Sequence, residues 1–254
     1  MSNRRAMFNK APPADFLPGR CLIPNCGRLT MASSGSGLAQ SHCRYHVQFA
    51  ARHGSHWHAT YRAADLQPYL KAAAQWVKAN RSDADVVMAA LWLKGALEDA
   101  GKMELAHRVK GQPAARRARF AFARLREAGI KPDRILSIYL AVCALIEDDR
   151  GSHRVEEFRI VQVAKAVHRL ASGSHQRWDV PLINGTTAPL IRHTYPKSAG
   201  IVLRIMGRQI EECCRTVSER AVDEIRDSKR AAYGPHPSQH PDWLPEWQRK
   251  FIRR

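Results

Sequence analysis

The stretch AARRARFAFARLREAGIKPDRILSIYLAVCALIED, residues 114–148, decides how the larger part of this chain folds. Wound as a helix at about 100° per residue, its first half, Ala114 to Ala128, separates into two faces. Ala118, Ala121, Phe122 and Leu125 form an apolar stripe, while Arg116, Arg117, Arg119, Arg124 and Arg126 lie across the other side with Phe120 among them. Gly129 ends this helix, and Pro132-Asp133 opens another that runs to about Glu147. The pair has the outline of a helix-turn-helix. Its second member, however, carries Ile135, Leu136, Ile138, Tyr139, Leu140, Val142, Cys143, Leu145 and Ile146, which leaves too few polar positions to read base edges. The spacing therefore predicts a core helix beside a basic surface helix. The carboxylates that follow, Glu147-Asp148-Asp149, read as a solvated acidic turn.

Helical patterning extends in both directions. Tyr69, Leu70, Ala73, Trp76 and Val77 recur at 3- and 4-residue steps after a start at Asp65–Pro68. Ser82 or Asp83 can cap the next helix. Its run Val86 to Leu93 is apolar nearly all round, which predicts a central buried helix. Val155 to Ala171 is amphipathic, with Phe158, Val161, Ala164, Val167 and His168 along it. Ser172 to Gly200 reads as a loop with short extended pieces at Val180–Ile183 and Leu190–His193 around the turn signal Asn184-Gly185. Arg192, His193, Tyr195 and Lys197 make that loop a second candidate contact surface. From Ile201 to Arg230 the seam Leu203, Met206, Ile210, Cys213, Val217, Ala221 and Ile225 predicts one long helix that closes the core or pairs with a second copy as a homodimer.

Composition sets the class of partner. The chain has 254 residues, 44% of them hydrophobic, and carries 41 Lys and Arg against 23 Asp and Glu, a formal charge of +18. Such an excess favours an anionic partner, nucleic acid before an acidic protein or anionic lipid. No run approaches the roughly 18 apolar residues of a membrane span. Met1-Ser2-Asn3-Arg4-Arg5 has no apolar core of a secretory signal, so a cytoplasmic protein is expected, nucleoid-associated if it binds DNA. In a reducing compartment the 6 cysteines read as thiols or metal ligands.

Three of those cysteines fall close together: Cys21-Leu-Ile-Pro-Asn-Cys26, then Cys43-Arg-Tyr-His46. Zinc asks for four soft or borderline donors in a tetrahedron, usually as two local pairs. Pro24, Asn25 and Gly27 supply turn chemistry for the first pair. The second has the i, i+3 spacing that sets both side chains on one face of a helix's first turn. His42 and His53 compete with His46 for the fourth position, but His42 adjoins Cys43, which strains such a site. Between the pairs, Thr30 to Gln40 reads as a small-residue loop.

The arrangement resembles a treble-clef zinc module, and more narrowly the short zinc modules of phage and mobile-element proteins, in which a Cys-x-x-His leads into a basic helix ending near His-Gly. Here those residues are Cys43, Arg44, Tyr45, His46, Arg52, His53 and Gly54. The resemblance covers about residues 18–58, and the first pair has a four-residue gap where the commonest knuckle has two. It implies a structural zinc and a DNA-binding regulator or accessory factor of a mobile element.

Together these readings predict a mostly α protein: a flexible arm 1–17, a zinc-binding module 18–62 packed on an all-helical domain 63–232, and a Pro/Trp-rich basic tail 233–254. Function is expected to be non-enzymatic nucleic-acid binding, DNA favoured over RNA, through Arg44, Arg52, Arg62, Arg116, Arg117, Arg119, Phe120, Arg124 and Arg126. Two alternatives remain: an adaptor for an acidic protein, using the C-terminal helix and aromatic tail, and an HNH-type nuclease built on His53, His56 and His58. Residues 1–62 hold a single acid, Asp15, which leaves a nuclease metal short of carboxylate oxygen.

Overall fold

The computed structural model describes residues 19–30, 40–183, 185–195, 199–217 and 219–239. The expected N-terminal arm, most of the small-residue loop, Lys197 and all but the first residues of the tail lie outside these. The chain divides into two compact units, 1–59 and 60–254. The division comes a few residues before the expected boundary at 62 because Thr60 and Tyr61 bond to the second unit. Lys165 Nζ donates to Thr60 Oγ1 at 2.6 Å and Tyr61 N to Gln162 Oε1 at 3.3 Å.

Among the described residues there are eight α-helices and one antiparallel ribbon. The first unit contributes α1 (Arg44–His53). The second unit holds α2 (Ala63–Ala79), α3 (Ala84–Glu98), α4 (Ala114–Glu127), α5 (Pro132–Asp148), α6 (Glu156–His168), the strands β1 (Ser174–Pro181) and β2 (Thr187–Thr194), α7 (Gly200–Cys214) and α8 (Glu219–Tyr233). The protein is mostly helical, as its periodicities require. No helix among the described residues is long and apolar enough to cross a membrane.

The second unit is built around α5. Ile135, Leu136, Ile138, Leu140, Ala141, Val142, Ala144 and Leu145 are each at most 2% exposed, so this helix is buried almost all round, and α2, α3, α6, α7 and α8 pack against it. Its start at Pro132 and the left-handed Gly129 before it (φ 68°) match the sequence punctuation. Where α7 crosses α6 the backbones approach so closely that a Cβ at Gly207 would lie 2.3 Å from the Ile160 carbonyl oxygen. Helix α2 begins at Ala63, earlier than expected, so Pro68 falls in its second turn.

Three expectations are corrected. Helix α3 is not a central buried helix. Val86, Ala89, Leu93 and Leu97 face the core, whereas Val87, Met88, Leu91 and Trp92 are 42–60% exposed. The predicted long C-terminal helix is two helices, broken at Arg215–Val217, where Val217 N bonds back to Cys214 O and Thr216 Oγ1 reaches Asp85 O. Its seam residues Leu203, Met206, Ile210, Cys213, Ala221 and Ile225 are buried in this chain's own core.

The acidic turn is not solvated either: Asp148 is 1% and Asp149 5% exposed. Asp148 accepts hydrogen bonds from Tyr69 Oη at 2.7 Å and Gln239 Nε2 at 2.8 Å, and Arg226, Lys229 and Arg230 lie 3.6–3.7 Å from its oxygens. Asp149 accepts from Tyr61 Oη at 3.0 Å. Burial alone would raise the Asp148 pKa, but these bonds and cations outweigh it and hold the carboxyl below its ordinary value. This cluster pins α2, α5, α8 and the 3₁₀ turn Pro237–Gln239 to one another.

Candidate metal centre and nucleic-acid interface

In the first unit the chain from Gly19 to Thr30 folds back on itself. Cys21 N bonds to Arg28 O and Thr30 N to Gly19 O, both at 2.8 Å, and Arg20 pairs with Leu29 in an antiparallel bridge. Two left-handed residues make the reversal possible, Asn25 and Gly27, both at φ 62°. Asparagine and glycine are the residues that tolerate this conformation, and both stand where the sequence offers turn chemistry. Cys21 and Cys26 thereby sit on one tight knuckle. Cys43 occupies the N-cap of α1 and His46 lies one turn in, on the same face. Gly54, at φ 78°, stops the helix, and its N–H bonds to Ala50 O.

This local geometry gathers the four donors. The ligand atoms of Cys21, Cys26, Cys43 and His46 all lie within 4.8 Å of one another. Cys26 and Cys43 sulfurs are 3.8 Å apart, and His46 Nδ1 lies 3.3 Å from Cys21 Sγ and 3.4 Å from Cys43 Sγ. A tetrahedron around an ion held at about 2.3 Å from sulfur and about 2.0 Å from nitrogen has edges of about 3.8 and 3.5 Å. The three separations match those edges, and the four residues are placed to hold one metal ion.

The surroundings favour the ligand-competent forms of Cys43 and His46, while at Cys26 the Arg28 backbone hydrogen bond is outweighed by burial and the neighbouring cysteines, which raise the thiol. Burial would raise the Cys43 thiol, but the backbone N–H of His46 and the sulfurs of Cys26 and Cys21 outweigh it and the pKa is lowered. Burial, then the charges of Arg28 and His42, push His46 toward neutral imidazole. The other two histidine candidates are turned elsewhere. The His42 ring stacks on His56 with centroids 3.9 Å apart, and His53 packs on Phe49 at 4.3 Å.

Around this centre the unit is cationic. Arg20, Arg28, Arg44 and Arg52 are exposed, and the described residues of the unit include no Asp or Glu. Tyr45, Phe49 and His53 run along one side of α1, with Tyr45 53% exposed and the Arg28 guanidinium 4.8 Å from its ring centroid. The sequence reading named Tyr45 only within the Cys43–His46 motif and did not single out Arg28. The aromatic spacing on α1 was visible in the sequence, but the approach of Arg28 depends on how the knuckle folds back.

The basic helix of the second unit is less available than its projection suggests. Arg116 and Arg119 are exposed and Arg117 is half-buried. Phe120, expected to stand free between arginines, is only 8% exposed, and Arg124 3%. The C-terminal half of α4 is enclosed by α3, α7 and the turn Arg169–Ala171, where Arg124 Nε donates to Ala171 O at 3.4 Å. Burial lowers the Arg124 pKa, and burial followed by the Arg124 charge takes the adjacent His168 down to about 4. Arg126 caps α3 instead, donating to the carbonyls of Leu97, Glu98 and Gly101 at 2.7–3.3 Å. Arg62 is exposed but holds Asp65 through Nε and Nη2 at 3.1 and 3.0 Å.

A comparison with known proteins adds no neighbour from which to borrow a function, because the chain matches no protein-family model, no curated protein and no solved structure.

Proposed function

We propose that this chain is a non-enzymatic nucleic-acid-binding protein, DNA favoured, whose first unit is a treble-clef-like module held by one structural zinc ion on Cys21, Cys26, Cys43 and His46. Three thiolates and an imidazole suit zinc, and four protein donors leave no open position for a catalytic water. When bound, the ion supplies folding energy rather than chemistry.

One observation carries the functional reading. The ligand cluster organises a surface of four exposed arginines and an exposed tyrosine without a carboxylate among the described residues of the unit. Arginine bridges phosphate oxygens bidentately, and an aromatic ring beside it stacks on a base or sugar. Arg116 and Arg119 add a second, smaller cationic face. A regulatory or accessory role in a mobile element follows from the sequence resemblance alone. Among the described residues of its unit the nuclease alternative finds no carboxylate beside His53, His56 and His58, and the adaptor alternative loses the helix seam that is buried in the core.

The test is binding of the zinc-loaded protein to labelled duplex DNA, single-stranded DNA and RNA across a salt series. Sub-micromolar binding with a steep salt slope is expected, and Arg44→Ala with Arg52→Ala should flatten that slope by about two. Weak, salt-insensitive binding to all three ligands would refute the proposal.

A further inference from the structure

The β1–β2 ribbon projects side chains into solvent from both of its faces. It is eight residue pairs long, from Ser174↔Thr194 to Pro181↔Thr187, or about 27 Å at 3.4 Å per residue. Leu182 N bonds to Thr186 O and Gly185, at φ 77°, bonds back to Leu182 O, closing the tip. The base is fixed to the helical unit, where Ser174 Oγ accepts from Ala106 N at 3.0 Å. Beyond the base the apolar side chains stay in solvent: Trp178 is 43%, Leu190 50% and Ile191 48% exposed, and at the tip Leu182 is 46% exposed and Ile183 fully so.

The register divides these residues. Trp178 and Leu190 face one another on one side, with Arg192 one pair away; Arg177 and Ile191 face one another on the opposite side, beside the His175–His193 pair. One face thus carries Trp178, Leu190 and Arg192, while the other carries Ile191 and Arg177 together with Asp179. Asp179 is the single acid of the two strands.

A two-stranded ribbon without a core against either face is marginal in water. A partner that meets the apolar side chains of the first face at its floor, and offers negative charge to the arginine beside them, is a groove walled by phosphates. The major groove of B-form DNA, about 12 Å wide, admits a two-stranded ribbon, and its floor presents the thymine methyl groups to apolar side chains. The major groove of an RNA duplex is too narrow to admit it.

We infer that this ribbon enters the major groove of duplex DNA with its Trp178–Leu190 face inward, Arg192 directed to a phosphate wall and Trp178 and Leu190 against thymine methyl groups. The inference rests on the nucleic-acid reading above and extends it to a second element, a groove and a chemical group.

The experiment uses the full zinc-loaded chain and three duplexes of one A·T-rich sequence: DNA with thymine, DNA with deoxyuridine in its place, and RNA. Burying one methyl is worth about fourfold in affinity. Wild type is expected to bind the thymine duplex about fourfold or more tighter than the deoxyuridine duplex, and RNA more weakly than either. Trp178→Ser with Leu190→Ser changes two exposed positions on one face; it should weaken thymine-duplex binding and abolish the preference. Equal affinity of wild type for the two DNA duplexes, or a preference that survives in the double variant, overturns the ribbon assignment while salt-dependent binding leaves the broader reading intact. Failure of wild type to bind any of the three overturns both.

Discussion

The two units of this protein are held together by different means. In the second unit 36 buried apolar residues among those described form one cluster. Among the described residues of the first, the buried apolar side chains are Cys21, Cys43 and Ala50, and two of those are metal-ligand candidates. A segment this short cannot remove enough apolar surface from water to offset the entropy of ordering its backbone. On the reading proposed above, coordination of a metal by those ligands supplies what packing cannot. One unit should therefore answer to chelators and the other to changes in core volume, and each expectation below tests that division.

The largest effect is expected from metal removal. Structural zinc is worth about 10–16 kcal/mol in small modules, so a strong chelator, or Cys43→Ser, should unfold the first unit. The helical signal of α1 should disappear, while the denaturant midpoint of the second unit stays in place. Movement of both transitions together would erase the contrast. Elemental analysis should find one zinc per chain, lost in the same variant.

Next comes the core. Phe158 is 0% exposed, and Phe158→Ala should cost about 3–5 kcal/mol in chemical denaturation. Leu93, also 0% exposed, and Leu91, 56% exposed, stand two residues apart on α3. Leu93→Ala should cost about 2–5 kcal/mol and Leu91→Ala less than about 1. Equal losses would mean that the outer face of α3 is covered.

A smaller effect belongs to the buried carboxylate. Asp148→Asn keeps the shape but removes a charge set among three cations, at a cost of about 2 kcal/mol at neutral pH. The folded-state pKa of Asp148 is depressed, so its contribution is present above the ordinary carboxylate range and is lost as pH falls through the depressed value. The wild-type second unit should thus lose stability below about pH 4, and the variant should show a shallower acid slope. Asp65→Ala, which removes the exposed pair with Arg62, should cost less than about 1 kcal/mol.

What the sequence revealed depended on whether the deciding interactions were local. The knuckle around Asn25 and Gly27, the turn pairing Cys43 with His46, and the helix boundaries at Gly54, Gly129 and Pro132 all rest on neighbours a few residues away. Helix α3 defeated the periodicity because both of its faces are apolar, and nothing in the pattern says which one meets a neighbour. Projection of α4 found its buried stripe but left Phe120 and Arg124 on the outer face, where they are 8% and 3% exposed; it could not show that the 169–171 turn would close over Arg124. The burial of Asp148 needed Tyr69, Lys229, Arg230 and Gln239, partners scattered along most of the chain. The break at 215–217 carries neither Gly nor Pro, and the apolar steps continue through it.

Gly207 has a consequence for heredity. Any side chain there collides with backbone rather than with a movable group, since a Cβ would lie 2.3 Å from the Ile160 carbonyl oxygen. Gly95, in the exposed α3, has nothing within 4 Å of the same hypothetical atom. In a library of random single substitutions, position 207 should be emptied of every alternative, while position 95 accepts alanine with a gain of about 1 kcal/mol. A distant descendant of this fold can have changed nearly every exposed letter and still be recognisable by a glycine in the middle of α7 facing a β-branched residue on α6.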